Sequence, residues 1–281
     1  MKNVDVAVSE AKTAQPLIVQ KPGSFVGDFT FTLAAYSGCQ FGCSYCYVPD
    51  VLRGLPARRG GWGAYVDVRS RSVELLQRQA DRLRGASIFM SATTDPYQPQ
   101  EAKRKLTRQM LEALADTDFA FLLISTRSGL ILRDLDILTD PRMIRRVEVG
   151  ISIPSDLDKA YEELEPRTPP FPGRLSTARK LRDAGIATRI HAAPLALHTQ
   201  GFVQRLGAVA DWLWVDGTGH GARKTPKGQY WLSSYSVALD FSQVAAKQLG
   251  QERVGYGRDQ FAWRWDADQR RIIPPVGRKE K

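Results

Sequence analysis

The chain has 281 residues, of which 43% are hydrophobic and 25% are charged, and this balance excludes an intrinsically disordered protein. Its formal net charge of +10 favours a polyanionic partner such as nucleic acid, although some basic proteins bind none. No apolar run approaches the roughly 18 residues that cross a bilayer, and the N-terminus lacks the apolar stretch of a signal peptide. We therefore expect a cytoplasmic protein without a membrane partner.

From residue 29 onward, apolar runs rich in β-branched and aromatic residues alternate with amphipathic stretches. The predicted strands are FTFTLAAY, ASIFMSA, FAFLLIST, RRVEVGISI, IATRIHAAPL and WLWVDG. The predicted helices between them are SVELLQRQADRL, EAKRKLTRQMLEALAD, LRDLDILTD, RLSTARKLRDAG and GFVQRLGAVAD. This alternation predicts an α/β protein with a parallel sheet, either an open doubly wound sheet or a partial barrel.

The alternation ends near Thr218 and divides the chain into three expected segments. Residues 1–28 are a short N-terminal extension, residues 29–217 are the core, and residues 218–281 are a C-terminal extension that packs on the core. The last segment has dense aromatic residues and one predicted helix, from Ser236 to Leu249. We expect this extension to be partly helical and partly irregular.

All the cysteines of the chain, Cys39, Cys43 and Cys46, lie in the loop after the first predicted strand. An odd number of thiols argues against a disulfide framework. Structural zinc usually needs four ligands, and every histidine is distant in sequence. A redox C-x-x-C pair would leave Cys39 unexplained. A [4Fe–4S] cluster fits better, because three thiolates can bind three irons and leave the fourth open to a substrate.

The spacing C-x3-C-x2-C, with Tyr45 directly before the last cysteine, resembles the signature of the radical S-adenosylmethionine enzymes. In that family, the open iron binds S-adenosylmethionine, and an electron from the cluster cleaves it to a 5′-deoxyadenosyl radical that takes hydrogen from a substrate. The resemblance therefore implies a [4Fe–4S] cluster on the three cysteines, S-adenosylmethionine as cofactor, and an electron donor such as flavodoxin or ferredoxin. It also implies a partial (β/α)6 TIM-type barrel over residues 29–217.

The same resemblance implies which residues hold S-adenosylmethionine. Tyr45 would pack near the adenine. Thr94 and Asp95, after the second predicted strand, stand where the family binds the methionine amino group, although Asp95 also suits a helix N-cap. Arg127, after the third strand, would bind the carboxylate, and Ser152, after the fourth, would contact the ribose or methionine portion.

The segments TTDPYQPQE, STRSGLILRDLDIL and LEPRTPPFPGRL resemble the spore photoproduct lyase-like branch of the family. The spore photoproduct lyases proper repair a thymine dimer in DNA and return hydrogen through a further cysteine, which this chain lacks, so the resemblance leaves its substrate open. A tyrosine relay is the alternative, with Tyr97 as the candidate catalytic residue. In the last of these segments, we expect Glu165 and Arg167 to form an internal ion pair and Arg174 to begin a helix.

The region after the cysteine loop combines arginines with aromatic residues. They are Arg53, Arg58, Arg59, Arg69, Arg71, Trp62 and Tyr65. Such a mixture can bind a phosphate backbone and stack on a base, or it can be a solvated connection. His191 and His198 flank the fifth strand's end and are candidates for substrate contact, although a satisfied buried histidine is the commoner outcome.

A nucleic acid or nucleotide is the preferred substrate class, because the charge and the branch resemblance both favour DNA or RNA as a partner. The first alternative is the same radical chemistry on a peptide or a small metabolite. The second is a metal-dependent nucleic-acid-binding protein without catalysis, in which the cysteines would hold zinc.

Overall fold

The computed structural model describes residues 5–12, 15–21, 24, 26–51, 60–90, 92–218 and 230–275. The strands are β1 (Ala7–Glu10), β2 (Leu17–Val19), β3 (Phe31–Leu33), β4 (Tyr36–Ser37), β5 (Tyr65–Val68), β6 (Ser87–Met90), β7 (Phe121–Thr126), β8 (Val147–Ser152), β9 (Ala187–Ala192), β10 (Trp212–Val215), β11 (Val254–Tyr256), β12 (Arg264–Asp266) and β13 (Arg271–Ile273). The α-helices are α1 (Val48–Val51), α2 (Ser72–Arg78), α3 (Pro99–Arg104), α4 (Leu106–Ala115), α5 (Leu135–Leu138), α6 (Asp158–Leu164), α7 (Phe171–Asp183), α8 (Phe202–Gly207) and α9 (Tyr235–Leu249). Short 3₁₀ segments span Ala80–Leu83, Gly129–Asp134, Gln251–Arg253 and Arg258–Gln260.

The main sheet has eight strands in the order β11–β10–β9–β8–β7–β6–β3–β2. Each neighbouring pair from β11 to β3 is parallel, and β2 runs antiparallel to β3 at the edge. Strands β6 to β10 follow each other in sequence order with helical segments between them, as in a (β/α) barrel. The sheet ends at β11 and β2, so the predicted α/β partial barrel is confirmed.

A smaller sheet fixes the cysteine loop at both ends. Its strands lie in the order β1–β5–β4. Strand β4 pairs antiparallel with β5, with Tyr36 opposite Val68, and it leads directly into the cysteine loop. Strand β1, from the N-terminal segment, pairs parallel with β5. The loop therefore leaves and returns through neighbouring strands.

One parallel strand lies beyond the point where the alternation was expected to end. Helix α9 and strand β11 form a further helix–strand unit, and β11 pairs with β10 through Leu213 and Val254. The strand is only three residues long, VGY, which is too short for a clear hydrophobic pattern. Residues expected to form an extension thus supply an edge of the core sheet.

The predicted helix over residues 101–116 is divided in two at Lys105, which has a φ of 55°. The buried carboxylate of Glu101 explains the break, because it accepts hydrogen bonds from the backbone N–H groups of Thr107 at 2.9 Å and Arg108 at 3.3 Å. These are free donors of the first turn of α4. A side chain from α3 therefore caps α4, which a periodicity argument does not reveal.

The lumen of the barrel is filled by large side chains that include Phe89, Leu123, Trp212, Trp214 and Phe261. The first four come from the parallel strands, whereas the last comes from the segment that follows β11. Aromatic rings pack here at centroid distances of 4.7 to 6.5 Å. The C-terminal segment therefore forms part of the interior of the barrel.

A buried ion pair holds that segment in place. Glu148 and Arg189 lie 3.3 Å apart inside the lumen. The Arg189 side chain donates to the carbonyl of Phe261 at 2.8 Å. The carboxylate of Glu148 accepts from the backbone N–H of Trp265 at 2.8 Å and from the indole of Trp212 at 3.0 Å.

Over the described parts of the chain, none of the helices has the length and apolarity needed to cross a membrane.

Candidate active site

A cavity of about 510 Å³ lies where the cysteine loop meets the carboxyl ends of the parallel strands. This is the end at which (β/α) barrels bind their ligands. One wall is the cysteine loop, a second is formed by the polar ends of β6, β7 and β8, and a third by aromatic residues near β10. The volume is in the range of small-molecule and cofactor sites.

All three thiols line this cavity, and all three are free. Burial raises the pKa of Cys39 to about 11 and the pKa values of Cys43 and Cys46 to about 12. Bare thiols are therefore protonated here at neutral pH, and a cationic iron centre would reverse this by binding the thiolate forms. Within the described ranges, no group of three or more His, Cys, Asp or Glu side chains could hold a single metal ion. In a cluster, each thiolate binds a different iron, so the thiols need not converge on one point.

The residues after β6 fasten the cysteine loop. The hydroxyl of Thr94 donates to the carbonyl of Gly38 at 2.6 Å. The side chain of Gln98 donates to the Thr94 hydroxyl at 2.9 Å and accepts from the backbone N–H of Gln40 at 2.9 Å. Thr94 also lines the cavity. It therefore contacts both the loop backbone and the space where a ligand would lie.

Asp95 joins the ends of two strands and does not cap a helix. Its carboxylate accepts from the backbone N–H of Tyr97 at 2.9 Å, from the hydroxyl of Thr126 at 2.7 Å and from the backbone N–H of Arg127 at 2.9 Å. Helix α3 begins later, with Gln98 at its N-cap, so the predicted capping role was wrong. Burial raises the pKa of Asp95, and these hydrogen bonds oppose that shift.

Arg127 enters the cavity between Tyr45 and Glu165. Its Nε donates to Glu165 Oε1 at 3.1 Å, and its Nη2 donates to the hydroxyl of Tyr45 at 3.1 Å. The Tyr45 hydroxyl itself donates to Glu165. Within the described residues, the Arg127 side chain donates hydrogen bonds through Nε and Nη2 and none through Nη1, so the N–H groups of Nη1 are available to an anion. Tyr45 and Arg127 both line the cavity.

The ion pair predicted between Glu165 and Arg167 is not formed. Glu165 pairs instead with Arg174, and both side chains are fully buried. Arg174 lies inside α7 rather than at its start, on the face that packs against Tyr161. Its Nη1 donates to the carbonyl of Ser152 at 2.7 Å. The helical register therefore decides the pairing, because it directs Arg174 into the core.

Ser152 and His191 are neighbours in the register of β8 and β9, and both line the cavity. His191 Nδ1 lies 3.0 Å from the hydroxyl of Ser125. Burial lowers the pKa of His191 well below its usual value, and the charges of Arg189 and Arg127 act in the same direction. The imidazole is therefore neutral at pH 7. His198 lies outside the cavity and stacks on a phenylalanine of α8.

Tyr97, the predicted hydrogen relay, does not line the cavity. Its side chain is 1% exposed and belongs to the hydrophobic core. Burial raises its pKa, and the nearby carboxylates of Asp134 and Glu101 raise it further. The tyrosines that line the cavity are Tyr45, Tyr47 and Tyr235. The structure therefore places Tyr97 outside the space in which a substrate would react.

Sequence reasoning missed several cavity residues on the β10 side. Asp216 continues the inward alternation of Trp212 and Trp214, so a period of two along this strand could have found it. Burial raises the pKa of Asp216 to about 6. Phe261 and Tyr235 also line the cavity, but they come from distant segments and no local signal marks them.

A sequence profile of the Radical SAM superfamily matches residues 34–200, which include the cysteine loop and the strand ends described above. The chain belongs to the Radical SAM superfamily. It is therefore a radical SAM enzyme by family, and the barrel agrees with this membership.

Three relatives of this radical SAM protein are each described as an uncharacterized protein. A protein of Methanocaldococcus jannaschii is 28% identical over 194 residues, which are 69% of each chain. A protein of Acidianus two-tailed virus is 31% identical over 166 residues, covering 56% of this chain and 53% of the viral one. A Mycobacterium tuberculosis protein is 26% identical over 177 residues, covering 62% of this chain and 52% of the mycobacterial one. The match thus spans about half the length of the last two relatives.

Solved structures of spore photoproduct lyase share the fold. A variant with bound AdoMet and dinucleoside spore photoproduct superposes with a TM-score of 0.61 at 16% identity, over 89% of this chain and 81% of that chain. Another variant gives a TM-score of 0.63 at 17% identity over the same fractions. At this level of identity, the similarity concerns the architecture of the barrel.

Several predicted residues of the radical SAM chain fall outside the cavity or outside the described ranges. Arg53, Arg58 and Arg59 lie outside the described residues. Arg69 donates to the carbonyl of Gln15 at 3.0 Å. It therefore supports the N-terminal segment. Of the basic and aromatic group after the cysteine loop, Trp62 is the described member that lines the cavity.

Proposed function

We propose that this enzyme binds a [4Fe–4S] cluster through Cys39, Cys43 and Cys46 and S-adenosylmethionine in the adjoining cavity. The observation that carries the proposal is that every thiol of the chain faces one cavity, opposite Asp95 and Arg127. When bound, a reduced cluster of this kind supplies the electron for reductive cleavage of S-adenosylmethionine to a 5′-deoxyadenosyl radical. An external donor such as flavodoxin or ferredoxin would reduce it, and a reducing cytoplasm would keep the thiols free.

The polar wall fits the methionine and ribose groups of S-adenosylmethionine. The unpaired Nη1 of Arg127 can donate to the carboxylate, in a charge-assisted hydrogen bond. Asp95 uses three acceptor positions within the protein, and a carboxylate has about four, so one remains for the ammonium group. Ser152 contributes a hydroxyl beside the ribose, Thr94 orients the loop backbone, and the ring of Tyr45 packs near the adenine.

The other walls support a substrate with flat, partly apolar groups. Phe89, Trp214 and Phe261 offer ring surfaces, and Asp216 offers a hydrogen-bond acceptor. At the mouth, Tyr47 is 50% exposed and Tyr235 is 52% exposed, as expected for rings that stack on bases. This supports a nucleic acid or nucleotide as substrate, in DNA or RNA repair or modification.

Charge adds to this preference. The sequence between Val51 and Gly60 carries Arg53, Arg58 and Arg59, and Asp50 and Trp62 on either side of it line the cavity. Arginine side chains neutralise phosphates when proteins bind nucleic acids, so this stretch of sequence favours such a substrate.

The test of the chemistry is anaerobic reconstitution of the full chain with iron and sulfide, followed by dithionite reduction. We expect an electron paramagnetic resonance signal that changes when S-adenosylmethionine is added, together with formation of 5′-deoxyadenosine. Cys43→Ala should abolish both. A cluster signal that does not change when S-adenosylmethionine is added, or activity that survives Cys43→Ala, would refute the proposal.

The test of the substrate class is binding of a labelled single-stranded oligonucleotide at several salt concentrations. We expect Arg58→Glu/Arg59→Glu to weaken binding and to flatten its salt dependence. The matched control is Arg179→Glu/Lys180→Glu, which makes the same charge change on the exposed face of α7. Equal affinities for the two double variants would favour a peptide or small metabolite instead.

A further inference from the structure

The segment between α6 and α7 contacts the cysteine loop from outside the cavity. The carbonyl of Leu164 accepts a hydrogen bond from the backbone N–H of Ser44 at 2.9 Å. The next residue, Glu165, accepts from the hydroxyl of Tyr45. Two successive residues of this segment, 164–167, therefore bind two successive residues of the loop. We call residues 164–167 the latch segment.

Arg167 makes the third contact of the latch segment, between two glycines. Its Nη1 donates to the carbonyl of Gly63 at 2.7 Å. A Cβ atom on Gly42 would lie 1.8 Å from Nη2 of Arg167, and one on Gly63 would lie 1.7 Å from the same atom. Both glycines have left-handed φ angles, 54° and 92°. Glycine therefore suits both positions for two reasons: it adopts a left-handed φ without strain, and it has no side chain to collide with the guanidinium.

These two glycines belong to different parts of the chain. Gly42 lies between Cys39 and Cys43, whereas Gly63 lies in the segment that returns to β5. The guanidinium of Arg167 therefore joins the middle of the cysteine loop to its return strand. Arg167 does not line the cavity and does not pair with Glu165, so ligand binding does not account for its position.

We propose that the latch segment holds the cysteine loop in the shape that presents its three thiols before a cluster is bound, with Arg167 as the positioning residue. Ordering a flexible loop opposes ligand binding through its loss of conformational entropy. A loop already ordered by the fold avoids that loss at the moment of cluster assembly. The inference rests on the proposed function, because cluster binding is the reason for ordering the loop. The order of the loop itself can be measured in the protein without iron.

The first experiment is hydrogen exchange on the full-length apo protein, comparing wild type with Arg167→Met and Arg167→Lys. We expect residues 38–46 to exchange about tenfold faster in Arg167→Met, while β8 and β9 keep their protection. Arg167→Lys, which retains one donor for the Gly63 carbonyl, should lie between the two. The matched control is Arg179→Met on the exposed face of α7, which should exchange as wild type. Unchanged exchange in residues 38–46 of both Arg167 variants would overturn the proposal.

The second experiment measures iron release from the reconstituted protein into a coloured ferrous chelator. Release from Arg167→Met should be about 10-fold to 100-fold faster than from wild type, if the loss of affinity that follows removal of a residue supporting metal ligands is expressed in the release rate. The thermal midpoint of the apo protein should change little. If Arg167→Met does not fold, Arg167→Lys carries the test, and release at the wild-type rate would overturn the proposal. Failure of wild type to take up iron would refute the proposed function. The hydrogen-exchange result would still decide whether the latch segment orders the cysteine loop.

Discussion

The carboxylate of Asp95 accepts a hydrogen bond from the backbone N–H of Arg127 at 2.9 Å, which joins the ends of β6 and β7 at the polar wall of the cavity. The same carboxylate accepts from the hydroxyl of Thr126. The two residues proposed to bind the amino and carboxylate groups of S-adenosylmethionine are therefore held at a fixed spacing. Such preorganisation improves binding because little order remains to be imposed by the ligand.

We expect Asp95→Asn to retain the cluster and to weaken S-adenosylmethionine binding. The amide removes a charge-assisted hydrogen bond of about 1.5–3 kcal/mol, so the dissociation constant should rise roughly tenfold or more. Equilibrium dialysis against reconstituted protein would measure it. Asp116→Asn, at a side chain that is 73% exposed, is the matched control. An unchanged affinity for S-adenosylmethionine in Asp95→Asn would show that Asp95 joins the ends of β6 and β7 but does not bind this ligand.

We expect Glu148→Gln to destabilise the protein strongly, because it leaves the charge of Arg189 buried without a counter-ion. Breaking a buried pair in this way lowers the free energy of unfolding by about 3–5 kcal/mol. Urea denaturation of the apo protein would measure the change. Glu74→Gln removes one partner of an exposed pair with Arg78 and should alter the same quantity by no more than about 0.5 kcal/mol. Similar losses of unfolding free energy in Glu148→Gln and Glu74→Gln would contradict a stabilising role for the buried Glu148–Arg189 pair.

His191 should make the protein sensitive to mild acid. Burial, with Arg189 and Arg127, keeps the pKa of His191 in the folded state well below its ordinary value. Below about pH 6.5, the unfolded chain gains a proton that the folded protein excludes, so stability falls as pH falls. The slope from this group is at most about 1.4 kcal/mol per pH unit.

Urea denaturation at pH 7.5 and pH 5.5 would measure this effect in wild type and in His191→Gln. Glutamine keeps a polar contact for Ser125 but does not titrate. The variant should therefore lose less stability than wild type between the two pH values. Parallel losses would show that His191 is not the acid-sensitive group.

Asp216→Asn should stabilise the apo protein at pH 8 and have little effect at pH 4. Burial raises the pKa of Asp216 to about 6, so its neutral form suits the fold and its charged form does not. The stability that the neutral acid contributes is present below the ordinary pKa of about 3.9 and is lost as pH rises through 6. Thermal midpoints of the two proteins across this range would test it, and midpoints that differ equally at both pH values would contradict it.

The sequence alone determined the chemistry that can be read locally. The spacing of Cys39, Cys43 and Cys46 identified the loop that the structure places at one wall of the cavity, because the three thiols lie close together in the chain. The strand ends at Asp95, Arg127 and Ser152 were also found, since parallel strands place their carboxyl ends at one edge of a sheet. The alternation of apolar runs predicted the α/β class and the parallel sheet, and the family resemblance then favoured the partial barrel over an open sheet.

Only the tertiary structure decided how those residues are held. Glu165 pairs with Arg174 rather than with Arg167 because helical register and burial, not proximity in sequence, determine which charges meet. Tyr97 lies beside the cavity residues in sequence but points into the core. Phe261 reaches the cavity from the far end of the chain. The position of Phe261 depends on how distant segments of the chain pack, and no local pattern of residues encodes such packing.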